Sequence, residues 1–309
     1  MGGRIAVVML VGMLFVLNGC NRNISDEIGV QTEVQSEYDT LKMNQENAVN
    51  AFESSLQTEQ NGRNTDMFTI TNGTEEYQGF VLNNILHSKN TGDIHFNLYL
   101  PDTYDGSKAY ALFLTLPGYE GLYFQGVGEN LIRESFGFTA REYNPEMIIV
   151  APQLESWGEI SADQVIELME YILGNYNIDP EKVYAEGYSA GGVTMSQVIG
   201  KRPELFTAYL QCSSRWAGNY EQVIENRVPI YLVIGQDDEY YGSEPSREAY
   251  ETLYNMYRAD GLSESEIDEI LVLDIKDNSY FESQGISDQH GGGLLFAEDQ
   301  EIMSWLFEK

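Results

Sequence analysis

Apolar and polar residues alternate along this chain in two periods, and the periods mark its elements. Ile94, Phe96, Leu98 and Leu100 alternate with His95, Asn97 and Tyr99, which predicts a strand with one face covered. Tyr77 to His87 reads as its hairpin partner, joined through the turn Asn90-Thr91-Gly92-Asp93. Ala109 to Leu116 and Met147 to Ala151 are unbroken apolar runs and predict strands buried on both faces. Shorter runs at Val183 to Ala185, Phe206 to Cys212, Pro229 to Ile234 and Glu269 to Ile275 continue the series. Between them the period lengthens. Val165, Ile166, Leu168, Met169, Ile172 and Leu173 mark one face of a helix over Ala162 to Tyr176. Gly192 to Gly200, Ser246 to Tyr257 and Ala297 to Phe307 read as further helices. Strands and helices alternating after an opening hairpin predict an α/β domain. Its sheet is doubly wound and mostly parallel, with antiparallel N-terminal strands.

The first 66 residues do not share this pattern. Arg4 precedes the apolar run Ile5 to Leu17, followed by Asn18-Gly19-Cys20, the layout of a secretory signal. Leu17-Asn18-Gly19-Cys20 resembles a bacterial lipobox, which implies a signal peptide over 1–19 and lipidation of Cys20. Residues 20–66 are rich in Asn, Gln, Glu, Ser and Thr and read as a solvated tether, with a short helix near Leu41 to Leu56. The catalytic-size segment is then 67–309. These readings place the protein in a bacterial cell envelope, held to the membrane by its N-terminal lipid alone and facing away from the cytoplasm. The net charge of -32, from 49 acids and 17 bases, excludes a basic face for nucleic acid or anionic lipid. Of the two cysteines, Cys212 ends an apolar run and reads as a small buried hydrophobe. No His/Cys cluster has metal-ligand spacing, so neither metal nor cofactor is expected.

One stretch carries chemistry. Gly187-Tyr188-Ser189-Ala190-Gly191 fits G-x-S-x-G between a strand pattern and a helix pattern, the context of a nucleophile elbow. A side chain at either outer glycine would block the close approach of strand and helix. The serine needs a base, and the chain has three histidines. His87 and His95 lie on the opening hairpin, with His95 on its polar phase. His290 lies in Asp288-Gln289-His290-Gly291-Gly292-Gly293, after the last strand, where the order Ser…Asp…His puts the base. The base needs a carboxylate behind it. Asp237 and Asp238 compete, in the loop after Pro229 to Ile234; Asp274 and Asp277 are weaker, and Asp288 is too near His290 in sequence. The Ala190 N–H and an N–H of the loop Pro117-Gly118-Tyr119, taken as that of Tyr119, are the candidate oxyanion donors.

From about residue 109 onward the chain resembles the α/β-hydrolase superfamily, and within it the secreted bacterial peptidase or esterase group related to feruloyl esterases and polyhydroxybutyrate depolymerases. The residues that carry the resemblance are Pro117-Gly118-Tyr119-Glu120-Gly121, Ala151-Pro152-Gln153 with Trp157, and Tyr176-Asn177-Ile178-Asp179-Pro180-Glu181-Lys182-Val183-Tyr184 ahead of the elbow. Arg202-Pro203-Glu204-Leu205-Phe206 matches as well. The group's acid falls three residues after a glycine, which here implies Asp238 after Gly235. Pro117 and Ile234 stand where the group has histidines, and neither is a triad position. The resemblance implies a serine hydrolase of carboxylic esters, feruloyl or acetyl esters of polysaccharides among them. Ser189, His290 and Asp238 would act, and Trp157, Tyr123, Phe124 and Trp216 would line a substrate pocket. A peptidase of the prolyl oligopeptidase branch ranks second, since the chain has no room for that branch's propeller. A binding protein on an inactive hydrolase fold ranks third.

Overall fold

The computed structural model describes residues 67–309. The signal peptide, the Cys20 lipidation, the tether and the helix near Leu41 lie outside the described residues. Ten strands form one sheet: β1 (Phe68–Thr71), β2 (Glu75–Tyr77), β3 (Phe80–Ser88), β4 (Gly92–Tyr99), β5 (Tyr110–Leu116), β6 (Ile148–Gln153), β7 (Ile178–Tyr188), β8 (Ala208–Cys212), β9 (Ile230–Gly235) and β10 (Leu271–Lys276). Their order is β1-β3-β4-β6-β5-β7-β8-β9-β10, with β2 paired to β3 at the side. The six strands from β6 to β10 in this order are parallel, and the pairs among β1 to β4, with β4 against β6, are antiparallel.

The described helices are α1 (Glu129–Arg133), α2 (Phe136–Tyr143), α3 (Glu159–Asn175), α4 (Ala190–Lys201), α5 (Glu221–Asn226), α6 (Glu244–Ala259), α7 (Glu264–Ile270), α8 (Asn278–Glu282), α9 (Gln289–Gly292) and α10 (Gln300–Phe307). They cover the sheet in two layers. On one face Leu112, Leu114, Val183 and Ala185 pack against Val165, Leu168, Met195 and Val198 of α3 and α4. On the other, Phe113, Tyr184, Leu210 and Val233 pack against Phe136 of α2 and Ile302, Met303 and Leu306 of α10. The central strands are therefore covered on both sides, as their unbroken apolar runs require.

Two differences from the expected elements have local causes. β7 begins at Ile178, five residues before the apolar run. In this added stretch Pro180, Glu181 and Lys182 are exposed, so burial gives no signal there. The hairpin β3–β4 is as expected, but Asn97 on its polar phase is fully buried. Its amide bonds to Asn130 and Ala151, and Asn130 bonds on to Pro152. A hydrogen-bonded amide network thus replaces solvent on that face.

Candidate active site

β7 is central in the sheet, and the chain turns sharply from its end into α4. Ser189 occupies the turn with φ 52° and ψ -117°, a region costly for a residue with a Cβ. The turn is held from both sides. The Ser189 N–H donates to the Cys212 carbonyl at 2.9 Å, and the Ser214 hydroxyl donates to the Ser189 carbonyl at 2.6 Å. Gly187 and Gly191 are required by contact. A Cβ on Gly191 would lie 2.2 Å from the Leu116 carbonyl oxygen, and one on Gly187 would lie 2.8 Å from the Gly192 Cα. The tightest approach at Gly191 is thus to the end of β5 rather than to its own strand.

The structure brings Ser189, His290 and Asp238 together. Ser189 Oγ is 2.9 Å from His290 Nε2, and His290 Nδ1 is 2.8 Å from Asp238 Oδ2. With the Nδ1 proton directed to the carboxylate, Nε2 is left to accept the serine proton. The Asp238 carboxyl is fully buried, and its other oxygen accepts the N–H groups of Tyr240 at 3.0 Å and Tyr241 at 2.8 Å. Three of its lone-pair directions are therefore used, which fixes its angle to the imidazole. Neighbouring Asp237 is exposed, and its backbone N–H is tied to Gln289 Oε1 at 2.8 Å. The two adjacent aspartates point in different directions.

His290 lies in α9, a short helical turn where an irregular glycine-rich loop is expected. Asp288 caps this turn by accepting the Gly291 N–H at 3.1 Å. The His290 backbone is held as well. Its N–H donates to Glu239 Oε2 at 3.0 Å, and its carbonyl accepts the Tyr188 hydroxyl at 2.7 Å. The rings of Tyr188, Tyr240 and Tyr241 surround the imidazole, with centroids 5.9, 5.2 and 5.7 Å away.

Ala190 is the first residue of α4, and Tyr119 is the first of a 3-10 turn after β5. An N–H at a helix start has no partner within its own helix. Both residues line a cleft of about 610 Å³ with Ser189 and His290. Tyr188, Tyr240, Tyr241 and Leu294 form its aromatic and apolar walls, and Glu120 and Asp288 lie at its edge. Tyr119 is 60% exposed and Tyr240 73% exposed, so both stand free at the mouth.

The aromatic residues expected along this cleft are placed elsewhere. Trp216 is buried against Tyr209 and Tyr220, with its N–H donating to the Gly218 carbonyl. Trp157 packs against the core on the α3–α4 side. Tyr123 stacks on His95 at 4.4 Å, and Phe124 lies edge-on to Tyr123. Three of the four are absorbed by packing, the commoner fate of a large aromatic ring. Besides Tyr119, the tyrosines that do line the cleft are Tyr240 and Tyr241, two and three residues after Asp238, and Tyr188 inside the elbow motif, so nearness to those motifs is the signal that marks them.

The other candidates for chemistry are engaged away from the cleft. His87 bonds Thr71 and Asp93 at the exposed sheet edge. His95 is half-buried, and desolvation lowers its pKa. Asp274 pairs with Lys276, and Asp277 caps α8. Cys212 is fully buried, and burial pushes its thiol well up, which disfavours the thiolate. Among the described residues no group of three or more His, Cys, Asp or Glu side chains is placed to hold a metal ion.

A family model described as the prolyl oligopeptidase family matches residues 154–260, a stretch that holds Ser189 and Asp238 and ends before His290. Among solved structures, a thermostable esterase is similar with a TM-score of 0.58 and 23% identity. The match covers 79% of this chain and 63% of that one. Oligopeptidase B from Leishmania major is similar with a TM-score of 0.50 and 16% identity, over 74% of this chain and 37% of that one. This chain therefore spans less than two thirds of the length of either protein. A search of curated proteins finds no match.

Proposed function

We propose that the protein is a serine hydrolase of the α/β-hydrolase superfamily that cleaves carboxylic esters through Ser189, His290 and Asp238. The observation that carries this reading is the continuous pair of hydrogen bonds from Ser189 Oγ through the imidazole to the buried Asp238 carboxylate. His290 Nε2 takes the hydroxyl proton as Oγ attacks the ester carbonyl. The N–H groups of Ala190 and Tyr119 receive the oxyanion. The imidazolium then protonates the departing alkoxide, leaving an acyl group on Ser189. A water molecule, deprotonated by His290, attacks that acyl carbonyl, and collapse releases the acid and restores the serine.

Esters rank first because an alkoxide departs with less protonation than an amine, so this triad and oxyanion site suffice for them. The tyrosine-walled cleft suits aromatic acyl groups such as feruloyl, with acetyl as the small alternative, both as esters on polysaccharides. A lipid anchor at Cys20 would hold the enzyme at the cell envelope, where such polymers arrive. The match to the prolyl oligopeptidase family favours a second reading, a peptidase of short peptides. A panel of aryl, acetyl and feruloyl esters with one dipeptide anilide separates the two. The ester reading expects kcat/KM for the best ester to exceed that for the anilide by roughly 100-fold or more. The opposite ratio would make the protein a peptidase.

A further inference from the structure

Two carboxyl groups lie buried beside the elbow, and the triad uses neither. Glu134 follows α1 and is 7% exposed; its Oε1 accepts the Gly118 N–H at 2.7 Å. Glu186 lies on β7 three residues before Ser189, is fully buried, and accepts the Thr115 hydroxyl at 2.8 Å. The remaining oxygen of each, Glu134 Oε2 and Glu186 Oε1, is buried without a hydrogen-bond partner. A leucine at either position would fill similar space without that cost, so stability alone does not account for two acids here.

Glu134 acts on the segment that precedes Tyr119. Gly118 is restrained on three sides. Its N–H goes to Glu134, its carbonyl accepts the Gly121 N–H at 3.0 Å, and a Cβ on it would lie 3.0 Å from the Tyr188 ring. The Tyr119 N–H belongs to the next peptide plane. We propose that Glu134 is a positioning residue for this loop: by holding the Gly118 N–H it fixes the following peptide, so that the Tyr119 N–H meets the oxyanion formed when Ser189 attacks. This inference rests on the reading of Ser189 as the nucleophile.

The charge state of Glu134 gives the idea a distinctive signature. Burial pushes its carboxyl up to about 8, Glu120 adds to the shift, and the Gly118 N–H opposes it. The titratable groups that face it are Glu186 and Tyr188 from β7, Cys212 from β8 and Glu120 from the turn after β5. Burial, with Glu134 second, holds Glu186 protonated well above the usual carboxylate range. Arg133, the adjacent cation, is bound outward to Glu120 and Glu129. Ionising Glu134 therefore places an unpaired negative charge one peptide from the oxyanion. The pKa is raised, so Glu134 is neutral below about pH 8 and takes nothing from kcat there, while its ionisation lowers kcat above that pH.

The test measures kcat and KM for one aryl ester from about pH 6 to 9.5 in wild type, Glu134→Gln, Glu134→Leu and Ser189→Ala. Glutamine keeps an acceptor for Gly118 and cannot ionise. It should keep kcat at neutral pH within about threefold and lose the decline above pH 8. Leucine should lower kcat roughly 10- to 100-fold, with KM within about threefold of wild type. Wild-type kcat in the leucine variant, an unchanged alkaline decline in the glutamine variant, or a glutamine variant as slow as leucine at neutral pH would each overturn the inference. If the leucine variant does not fold, the glutamine profile decides alone. Hydrolysis that survives Ser189→Ala would sink the nucleophile reading itself. Hydrolysis lost in Ser189→Ala but unchanged in both Glu134 variants would sink only the role of Glu134.

Discussion

Ser189→Ala is expected to lower kcat for ester hydrolysis by roughly four to six orders of magnitude, with the melting temperature within a few degrees of wild type. The size of the effect follows from position. The hydroxyl is the one group of the turn aimed at both the imidazole and the cleft. Without it, the oxyanion donors and the cleft still bind an ester, and only that residual assistance remains. Stability should change little, because the bonds that hold the turn are made by the backbone. The Ser189 N–H reaches Cys212, its carbonyl is held by Ser214, and alanine keeps both. Steady-state kinetics beside thermal unfolding checks both halves. A variant that keeps a tenth or more of wild-type kcat would remove Ser189 from the mechanism.

The second large effect separates two neighbours. Asp238→Asn should lower kcat by roughly 10⁴-fold, and Asp237→Asn should leave it within about twofold. In the first variant the amide can still accept the Tyr240 and Tyr241 N–H groups through its oxygen, so the loop keeps its shape. Its NH₂ then faces Nδ1 and donates where a proton acceptor stood. The imidazole answers with the other tautomer, whose Nε2 carries a proton and cannot take one from Ser189. Asp237 is exposed and meets the site only through its backbone N–H to Gln289, which asparagine preserves. Equal losses in the two variants would mean that the Asp238–His290 bond has no special role.

Much of this arrangement can be read from the chain before any coordinates. The parallel strands announce themselves as unbroken apolar runs because both their faces are covered. Glycines at 187 and 191 can be read as contact points because no side chain fits there. With three histidines in the whole chain, and one of them after the last strand, the partner that meets Ser189 is also legible. Choosing Asp238 over Asp237 needs the spacing of related sequences, since both follow the same strand and differ only in which way the loop turns them.

What the sequence hides are the consequences of packing. Trp216 and Trp157 look like pocket residues by type, yet burial of large rings takes them into the core side of the sheet. Tyr240 and Tyr241, in an acidic loop with no apolar period, are marked only by their nearness to Asp238, and no pattern there shows that their rings face the imidazole. Glu134 and Glu186 are hidden more thoroughly. Each stands among many acids in a chain of net charge -32, and nothing local marks these two as buried. Their burial is set by β5, β7 and the turn before α2 converging from distant parts of the sequence.

The most direct measurement of whether Ser189 is an activated nucleophile is its covalent capture by a fluorophosphonate, read by intact mass and then by peptide mapping. The account predicts one adduct per chain, located on the peptide that carries Ser189, absent in Ser189→Ala and strongly slowed in Asp238→Asn. A wild-type protein that stays unlabelled, or that carries its adduct on another residue, would contradict it.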